Sequence, residues 1–272
     1  MPVTKDSPVS RTPFPEIDIT VPHSARVWNY WLGGKDNYAV DRAAGDQYRE
    51  LFPQIVDTAR AARYFLARAV RFLVGEAGVR QFLDIGTGLP TVDNTHEIAQ
   101  RVAPDSRIVY VDNDPLVLAH ARALLTSTPE GTTDYIDADL RDPATILSSA
   151  TRTLDFSQPI GLFLIGVFGH VPDDDEARSI MRRLLDALPS GSYLALADSI
   201  NVGDAHREAA RRYNEGGPVA YRLRSLEQIA GFFDGLDLVE PGLVAVSRWR
   251  PELSPFDGPH VETTLGGVGR KP

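Results

Sequence analysis

Residues 81–91, Gln-Phe-Leu-Asp-Ile-Gly-Thr-Gly-Leu-Pro-Thr, decide the fold class of this chain. The apolar run 81–85 leads directly into two glycines at alternate positions, Gly86 and Gly88. Such a pattern is typical of a β-strand that turns sharply toward a helix, where glycine lets a ligand approach bare backbone. It predicts an α/β fold with a ligand site at the carboxyl end of this strand.

Strand-like patterns recur along the rest of the chain. Apolar or β-branched runs occupy 107–111, 133–136, 160–165 and 192–197. Segments with helical spacing separate them, and Asp114-Pro115 and Ser225-x-x-Gln228 have the composition of helix starts. This alternation predicts a parallel sheet with helices on both faces. Two final runs, 236–239 and 243–248, flank a Pro-Gly turn and are expected to pair as antiparallel neighbours.

The chain divides into four segments by composition. Residues 1–20 are rich in Pro, Ser and Thr and are expected to form a flexible leader. Residues 21–75 carry Ala, Arg and aromatic residues at helical spacing and predict a helical cap over the cofactor site. Residues 76–251 form the predicted core, and 252–272 a C-terminal tail. The simpler alternative for the cap is that its helices only cover one face of the sheet.

Composition excludes several classes of protein. The formal charge of −9 and the pI near 5.2 argue against nucleic acid as a partner, because binding to phosphate backbones needs a basic surface. The chain has no cysteine, so disulfides and thiolate zinc sites are excluded, and we assign no residue to a metal. The longest apolar run, 160–169, is too short to cross a bilayer as a helix. We therefore expect a cytoplasmic protein with no membrane partner.

The glycine turn offers the first candidate ligand residues, Asp84, Gly86, Thr87 and Gly88. A dinucleotide-binding fingerprint would have a third glycine at the position of Thr91. Its absence weakens the argument for a nicotinamide cofactor. The first motif of methyltransferases has an acidic residue two places before the first glycine, as Asp84 is. The same motif usually has a third glycine at the position of Pro90.

Carboxylates close the next two predicted strands. Asp112 follows its strand directly and can accept hydrogen bonds from both ribose hydroxyls of an adenosine, with Asn113 beside it. Asp114 suits the N-cap of the next helix. After the third strand we favour Asp139 over Asp137 as acceptor from the exocyclic adenine amine, and the alternative for both is a solvated loop acid.

The fourth predicted strand ends in Gly-Val-Phe-Gly-His, where an open α/β sheet places its ligands. Phe168 and His170 are therefore expected to face the site. His170 is a candidate general base because histidine titrates near neutrality. A structural hydrogen-bonding role is the equal alternative.

Several motifs together resemble one family, the S-adenosylmethionine (SAM)-dependent methyltransferases abundant in actinomycetes and long described as a domain of unknown function. The similarity covers about residues 20–251 and is most specific at Leu-Gly-Gly-Lys-Asp-Asn, residues 32–37. It rests on the segments SARVWNYWLGGKDNY (24–38), DIGTGLPT (84–91), NTHE (94–97), VDNDP (111–115) and PG with SRWRP (241–251).

This resemblance implies a Rossmann-like α/β sheet of seven strands in the order 3-2-1-4-5-7-6, with the last strand antiparallel, and SAM as cofactor. It also implies that Gly86 and Gly88 meet the methionine portion. Asp112 and Asn113 would meet the ribose, and Asp139 and Leu140 the adenine.

The segment 24–38 supplies three further candidates. Gly33-Gly34-Lys35 lacks the spacing of a phosphate loop, so we reject that interpretation. We expect instead that Arg26, Tyr30 and Gly34 lie over the cofactor, with Arg26 pairing the methionine carboxylate. The alternative is a purely structural cap. Tyr30 is also a second candidate base.

The predicted function is methyl transfer from SAM to a small-molecule acceptor by in-line displacement. Positioning supplies much of the acceleration in such a reaction, so no catalytic triad is required. One alternative is a non-catalytic SAM-binding or regulatory protein. The other, less favoured, is an NAD-dependent oxidoreductase.

Overall fold

A computed structural model describes residues 17–91, 93–124, 126–216, 220–251 and 262–272. Its centre is a sheet of eight strands: β1 Gln81–Ile85, β2 Arg107–Asp112, β3 Thr132–Asp137, β4 Gly161–Ile165, β5 Tyr193–Ser199, β6 Asp237–Leu238, β7 Val244–Ala245 and β8 Thr264–Arg270. β1 and β2 are buried almost throughout because their apolar residues face helices on both sides of the sheet.

The strand order is β3-β2-β1-β4-β5-β8-β6, with the two-residue β7 paired to β8. The pairs among β1 to β5 are parallel, and β8 runs antiparallel to β5. β8 takes the place of the seventh strand in the predicted order, so the Rossmann-like fold with its antiparallel last strand is confirmed. The chain order reverses between β1 and β4, which opens a crevice at their carboxyl ends.

The C-terminal strands differ from the sequence prediction. The runs 236–239 and 243–248 do not pair with each other. β6 and β7 instead pair with different parts of the β8 edge that faces away from β5. Residues 264–270 were expected in the tail and instead form this strand of the core. The sequence gives no strand pattern here because close packing requires glycine. A Cβ at Gly266 would lie 2.8 Å from Val246, and one at Gly269 would lie 3.0 Å from Leu236.

Nine helices surround the sheet in the described residues: α1 Ser24–Trp31, α2 Ala39–Leu51, α3 Ile55–Gly75, α4 Thr95–Val102, α5 Pro115–Leu124, α6 Pro143–Ala150, α7 Asp174–Ala187, α8 Asp204–Gly216 and α9 Leu226–Ala230. The predicted N-cap of α5 is confirmed, because the Asp114 carboxylate accepts from the amide of Leu116 at 2.8 Å. The capping box of α9 between Ser225 and Gln228 is also confirmed.

Helix α3 covers one face of the sheet, and the Trp249 ring fills the space between them. This indole is fully buried and meets the rings of Phe65 and Phe72 edge-on at 5.4 and 6.0 Å. Arg68 of α3 donates to the carbonyls of Val246 and Trp249, which secures the SRWRP segment. That motif therefore supports the core. Among the described helices, none is long and apolar enough to cross a membrane.

Candidate functional site

A pocket opens at the carboxyl edge of β1, β2, β4 and β5, and α1, α2, α3 and α8 close it from above. Its floor is the glycine turn after β1. Gly86 and Gly88 adopt φ angles of 74° and 64°, which side-chain-bearing residues rarely adopt. A Cβ at Gly86 would lie 2.5 Å from Val167, whereas one at Gly88 would meet nothing within 4 Å. Gly86 thus serves packing, and Gly88 presents open backbone to the pocket.

Asp84 lies beneath this turn, where it is 4% exposed. The Thr95 hydroxyl donates to its carboxylate at 2.6 Å. Burial raises the pKa of Asp84 to about 6, although the Thr95 hydrogen bond and the charge of Arg63 oppose the rise. Arg63 lines the same pocket, so one cationic and one acidic side chain face the space beside the glycines.

Asp112 joins the ends of β1 and β2. One carboxylate oxygen accepts from the amide of Gly88 at 2.8 Å, and the other accepts from the amides of Asn113 and Asp114 at 2.9 and 3.0 Å. Burial raises the pKa of Asp112, and the backbone donors oppose that rise. The carboxylate therefore shapes the turn while lining the pocket.

Asn113 and Asp139 meet across the end of the pocket, with the Asn113 amide donating to the Asp139 carboxylate at 3.3 Å. Asp139 also accepts from the backbone of Arg141 at 2.8 Å. Leu140 lines the wall beside them. Asp137 is exposed and does not line the pocket.

Comparison with known proteins identifies the family of this chain. Residues 10–272 match a family described as S-adenosyl methyltransferase. The chain belongs to this family. Its cofactor is SAM, and it is a SAM-dependent methyltransferase, which removes the reason to consider NAD. The search of curated proteins gave no match.

Two solved structures are similar over nearly their whole length. A DUF574 family protein from Streptomyces avermitilis is 47% identical, with a TM-score of 0.90, covering 94% of this chain and 100% of its own. A candidate methyltransferase from Thermobifida fusca is 41% identical, with a TM-score of 0.84, covering 96% of this chain and 99% of its own. A SAM-dependent methyltransferase from Anabaena variabilis, 13% identical with a TM-score of 0.50, covers 98% of this chain and 100% of its own and shares the fold.

Arg26 of this methyltransferase does not reach the pocket, contrary to the sequence expectation. It is 4% exposed, and its guanidinium donates to the carbonyls of Asp18 and Val21 at 2.9 and 2.7 Å. It also pairs with Asp41 at 3.3 Å and lies 3.9 Å from Asp114. These acceptors hold the side chain inside the cap, so Arg26 ties the N-terminal segment to the start of α5.

Tyr30 and Gly34 also lie away from the pocket. The Tyr30 hydroxyl donates to Asp46 at 2.8 Å, which turns it toward α2. Gly34 does permit a close approach, but the approaching group is the Asn29 side chain: a Cβ at Gly34 would lie 2.3 Å from the Asn29 amide nitrogen. Asn29 itself lines the pocket. The glycine therefore positions Asn29.

The two residues predicted after β4 face different ways. Phe168 is buried in the core against Phe232, with ring centroids 4.8 Å apart, and does not line the pocket. His170 does line it, and its ring meets Tyr221 edge-on at 5.0 Å. Both residues belong to a 3-10 turn, Phe168–His170, in which their side chains point in different directions. Burial lowers the pKa of His170 to about 4.

Sequence reasoning missed many of the residues that the fold brings to the pocket, among them Arg63, His23 and Tyr221. Arg63 lies within a long amphipathic helix, where the pattern indicates packing only. His23 lies 2.8 Å from the Asp114 carboxylate, and the DP signal after β2 was the nearest clue. Tyr221 follows α8 in a segment with no motif, and its hydroxyl donates to the buried Asp198 at 2.6 Å.

Proposed function

We propose that this enzyme methylates a small molecule that binds beside SAM in the pocket. The observation that carries the proposal is the meeting of Arg63, Asp84, Gly88 and Asp112 in one cavity. These residues offer a guanidinium, two carboxylates and open backbone, which are complementary to the amino-acid and ribose parts of SAM. When bound, SAM supplies a methyl group on a positively charged sulfur.

The methionine part of SAM carries one carboxylate and one ammonium. In this proposal Arg63 pairs with the carboxylate, the role that the sequence assigned to Arg26, and Asp84 accepts from the ammonium. Gly86, Thr87 and Gly88 flank this portion. The support is that Arg63 and Asp84 line the same cavity and interact electrostatically, whereas Arg26 is held inside the cap.

The adenosine part would lie along the next strand ends. Asp112 accepts from the ribose hydroxyls, with Asn113 beside it. Asp139 accepts from the adenine amine, and Leu140 packs on the ring. All four residues line the pocket. Asn113 links the two carboxylates, because its backbone amide donates to Asp112 and its side chain donates to Asp139.

His170 is the proposed base toward the acceptor. Its Nδ1 is buried and has no hydrogen-bond partner among the described residues. Because burial lowers the pKa to about 4, the imidazole is neutral near pH 7 but a weaker base than an ordinary histidine, so its proposed part is to accept a hydrogen bond from the acceptor as the proton leaves. Tyr30, the other candidate base, donates to Asp46 and does not line the pocket, so it has no part in this proposal.

Calorimetric titration with SAM tests the cofactor residues. We expect Arg63→Met to weaken SAM binding by at least about tenfold, since a charge-assisted contact is lost. Arg60→Met is the matched control, because Arg60 is exposed on the same helix and pairs only with Asp57 in the described structure. Equal affinities for the two variants would contradict the assigned role.

Incubation with labelled SAM and small-molecule fractions tests the activity. Transfer of label to a small molecule, with release of S-adenosylhomocysteine, is the expected result. A protein that binds SAM in the same preparation yet yields no labelled product from any fraction would instead be a non-catalytic SAM-binding protein.

A further inference from the structure

The pocket continues beyond the strand ends into a space walled by aromatic rings. Trp28 and Trp31 of α1, Tyr48 of α2 and Tyr213 of α8 line it, and we call these four residues the aromatic compartment. Their rings form a chain of contacts: 5.8 Å between the two indoles, 5.3 Å from Trp31 to Tyr48 and 6.0 Å from Tyr48 to Tyr213.

Charge is absent from these walls. None of the described pocket-lining residues in α1, α2 and α8 carries a charged side chain. Burial raises the pKa of Tyr48 and of Tyr213, so both hydroxyls stay neutral. The Trp31 indole N–H is already used, because it donates to the carbonyl of Gly45 at 3.1 Å. A charged ligand would lose its hydration here without gaining a counter-charge.

Polar groups lie where the compartment meets the sheet. Tyr221 and His170 line the pocket there, and the Tyr221 hydroxyl is held by its donation to Asp198. The Ser199 hydroxyl hydrogen-bonds to the Tyr221 oxygen, whose remaining lone pair can accept from a ligand. The neutral imidazole of His170 is a second polar group at this edge. Polar groups at one edge suit a ligand that brings a hydrogen-bond donor.

We propose that the aromatic compartment is the acceptor subsite and that it selects a neutral, planar aromatic molecule bearing a hydroxyl group. The inference rests on the proposed methyltransferase function. The rings stack on or meet the edges of the ligand ring, and the hydroxyl points to His170 and Tyr221. A cation would gain attraction from the ring faces, but no carboxylate lines the compartment to offset its loss of hydration.

Three ligands with one ring scaffold and different charges test this inference. The probes are 2-naphthol, 2-naphthoate and 2-naphthylmethylammonium, each titrated by calorimetry into protein saturated with S-adenosylhomocysteine. We expect 2-naphthol to bind at least about tenfold more tightly than either charged probe. Tighter binding of a charged probe, or no binding of any probe, would overturn the inference. Failure of S-adenosylhomocysteine to bind would instead contradict the proposed function.

Variants locate the bound probe. Trp28→Ala should weaken 2-naphthol binding at least about fivefold through lost ring contact, with S-adenosylhomocysteine affinity unchanged. Trp28→Phe, which keeps a ring, should restore most of the affinity. Tyr213→Leu provides a second wall variant if Trp28→Ala does not fold. Tyr64→Ala is the control, because Tyr64 is 57% exposed on α3 outside the pocket. An unchanged affinity for 2-naphthol in both wall variants would show that the probe binds elsewhere.

Discussion

The Asp112 carboxylate accepts a hydrogen bond from the backbone amide of Gly88 at 2.8 Å, which joins the end of β2 to the turn after β1. Its second oxygen accepts hydrogen bonds from the backbone amides of Asn113 and Asp114. One buried side chain thus holds both chain segments that the proposed SAM site needs. The loop geometry and the proposed ribose contact depend on the same carboxylate.

Asp112→Asn should therefore weaken both folding and SAM binding. An amide group must turn its NH2 toward at least one of these backbone donors, so a hydrogen bond to a charged acceptor is lost, at a cost of about 1.5–3 kcal/mol. Chemical denaturation measures the first effect and calorimetry the second. Asp137→Asn is the control, because Asp137 pairs with Asp112 in the β2–β3 register but is exposed. A wild-type SAM affinity in Asp112→Asn would argue against the ribose role.

The pKa of Asp84 predicts a pH dependence with a definite sign. Burial raises the pKa to about 6, above the value of about 3.9 for an unfolded aspartate. The folded state therefore holds the proton more tightly, and this contribution to stability, present below pH 4, is lost as the pH rises to about 6. SAM binding should change in the opposite direction, because only the ionised carboxylate attracts an ammonium group.

Titrations of SAM between pH 5 and 8 measure this effect. We expect affinity to rise through pH 6 in the wild type and to lose most of that dependence in Asp84→Asn. Asp112 is also buried with a raised pKa, and it remains in the variant, so any residual slope reports on that carboxylate. An identical pH profile in wild type and variant would show that Asp84 does not sense the bound ammonium.

The parts of this fold that a sequence can predict are those with local signals. Asp84, Asp112 and Asp139 lie in or shortly after apolar runs, and parallel strands gather their carboxyl ends at one edge. The sequence therefore predicts that these residues lie together, and all three line one pocket. Strand β8 has no such signal because it is rich in glycine, and only its packing against β5 and Val246 makes it a strand.

The direction of a side chain outside regular strands was not predictable. Phe168 and His170 stand two residues apart in a 3-10 turn, and only the packing of Phe168 on Phe232 decides which one faces the pocket. Likewise, the charge of Arg26 suits the carboxylate of SAM, but in the fold its guanidinium is bound by the buried Asp41 and by two backbone carbonyls. Long-range partners of this kind leave no pattern in the local sequence.

Arg26→Met should destabilise the protein without removing a SAM contact. The change leaves the buried carboxylate of Asp41 without its cation, and breaking a buried pair in this way costs about 3–5 kcal/mol. Thermal unfolding measures the loss, with Arg49→Met as the control because Arg49 is exposed and pairs with Asp46. A variant of normal stability with weakened SAM affinity would restore the earlier interpretation, in which Arg26 holds the cofactor.

Gly34→Ala should displace Asn29 from its place beside the pocket. The new methyl group would lie 2.3–2.5 Å from the Asn29 side-chain amide atoms. Asn29 is 4% exposed, and its oxygen accepts from the amide of Asp36 and from the Asn37 side chain at 3.1 and 2.9 Å. Overpacking at such a site costs about 1–3 kcal/mol, measured by denaturant unfolding.

The double variant distinguishes this collision from backbone strain. In an Asn29→Ala background the space beside residue 34 is open, so adding Gly34→Ala should cost little further stability. Gly33→Ala is the matched comparison: its φ of 82° strains any side chain, and no atom lies within 4 Å of the added Cβ. Its cost of about 1–2 kcal/mol should therefore be the same with or without Asn29. If Asn29→Ala fails to rescue Gly34→Ala, the glycine is required for its backbone and not for the approach of Asn29.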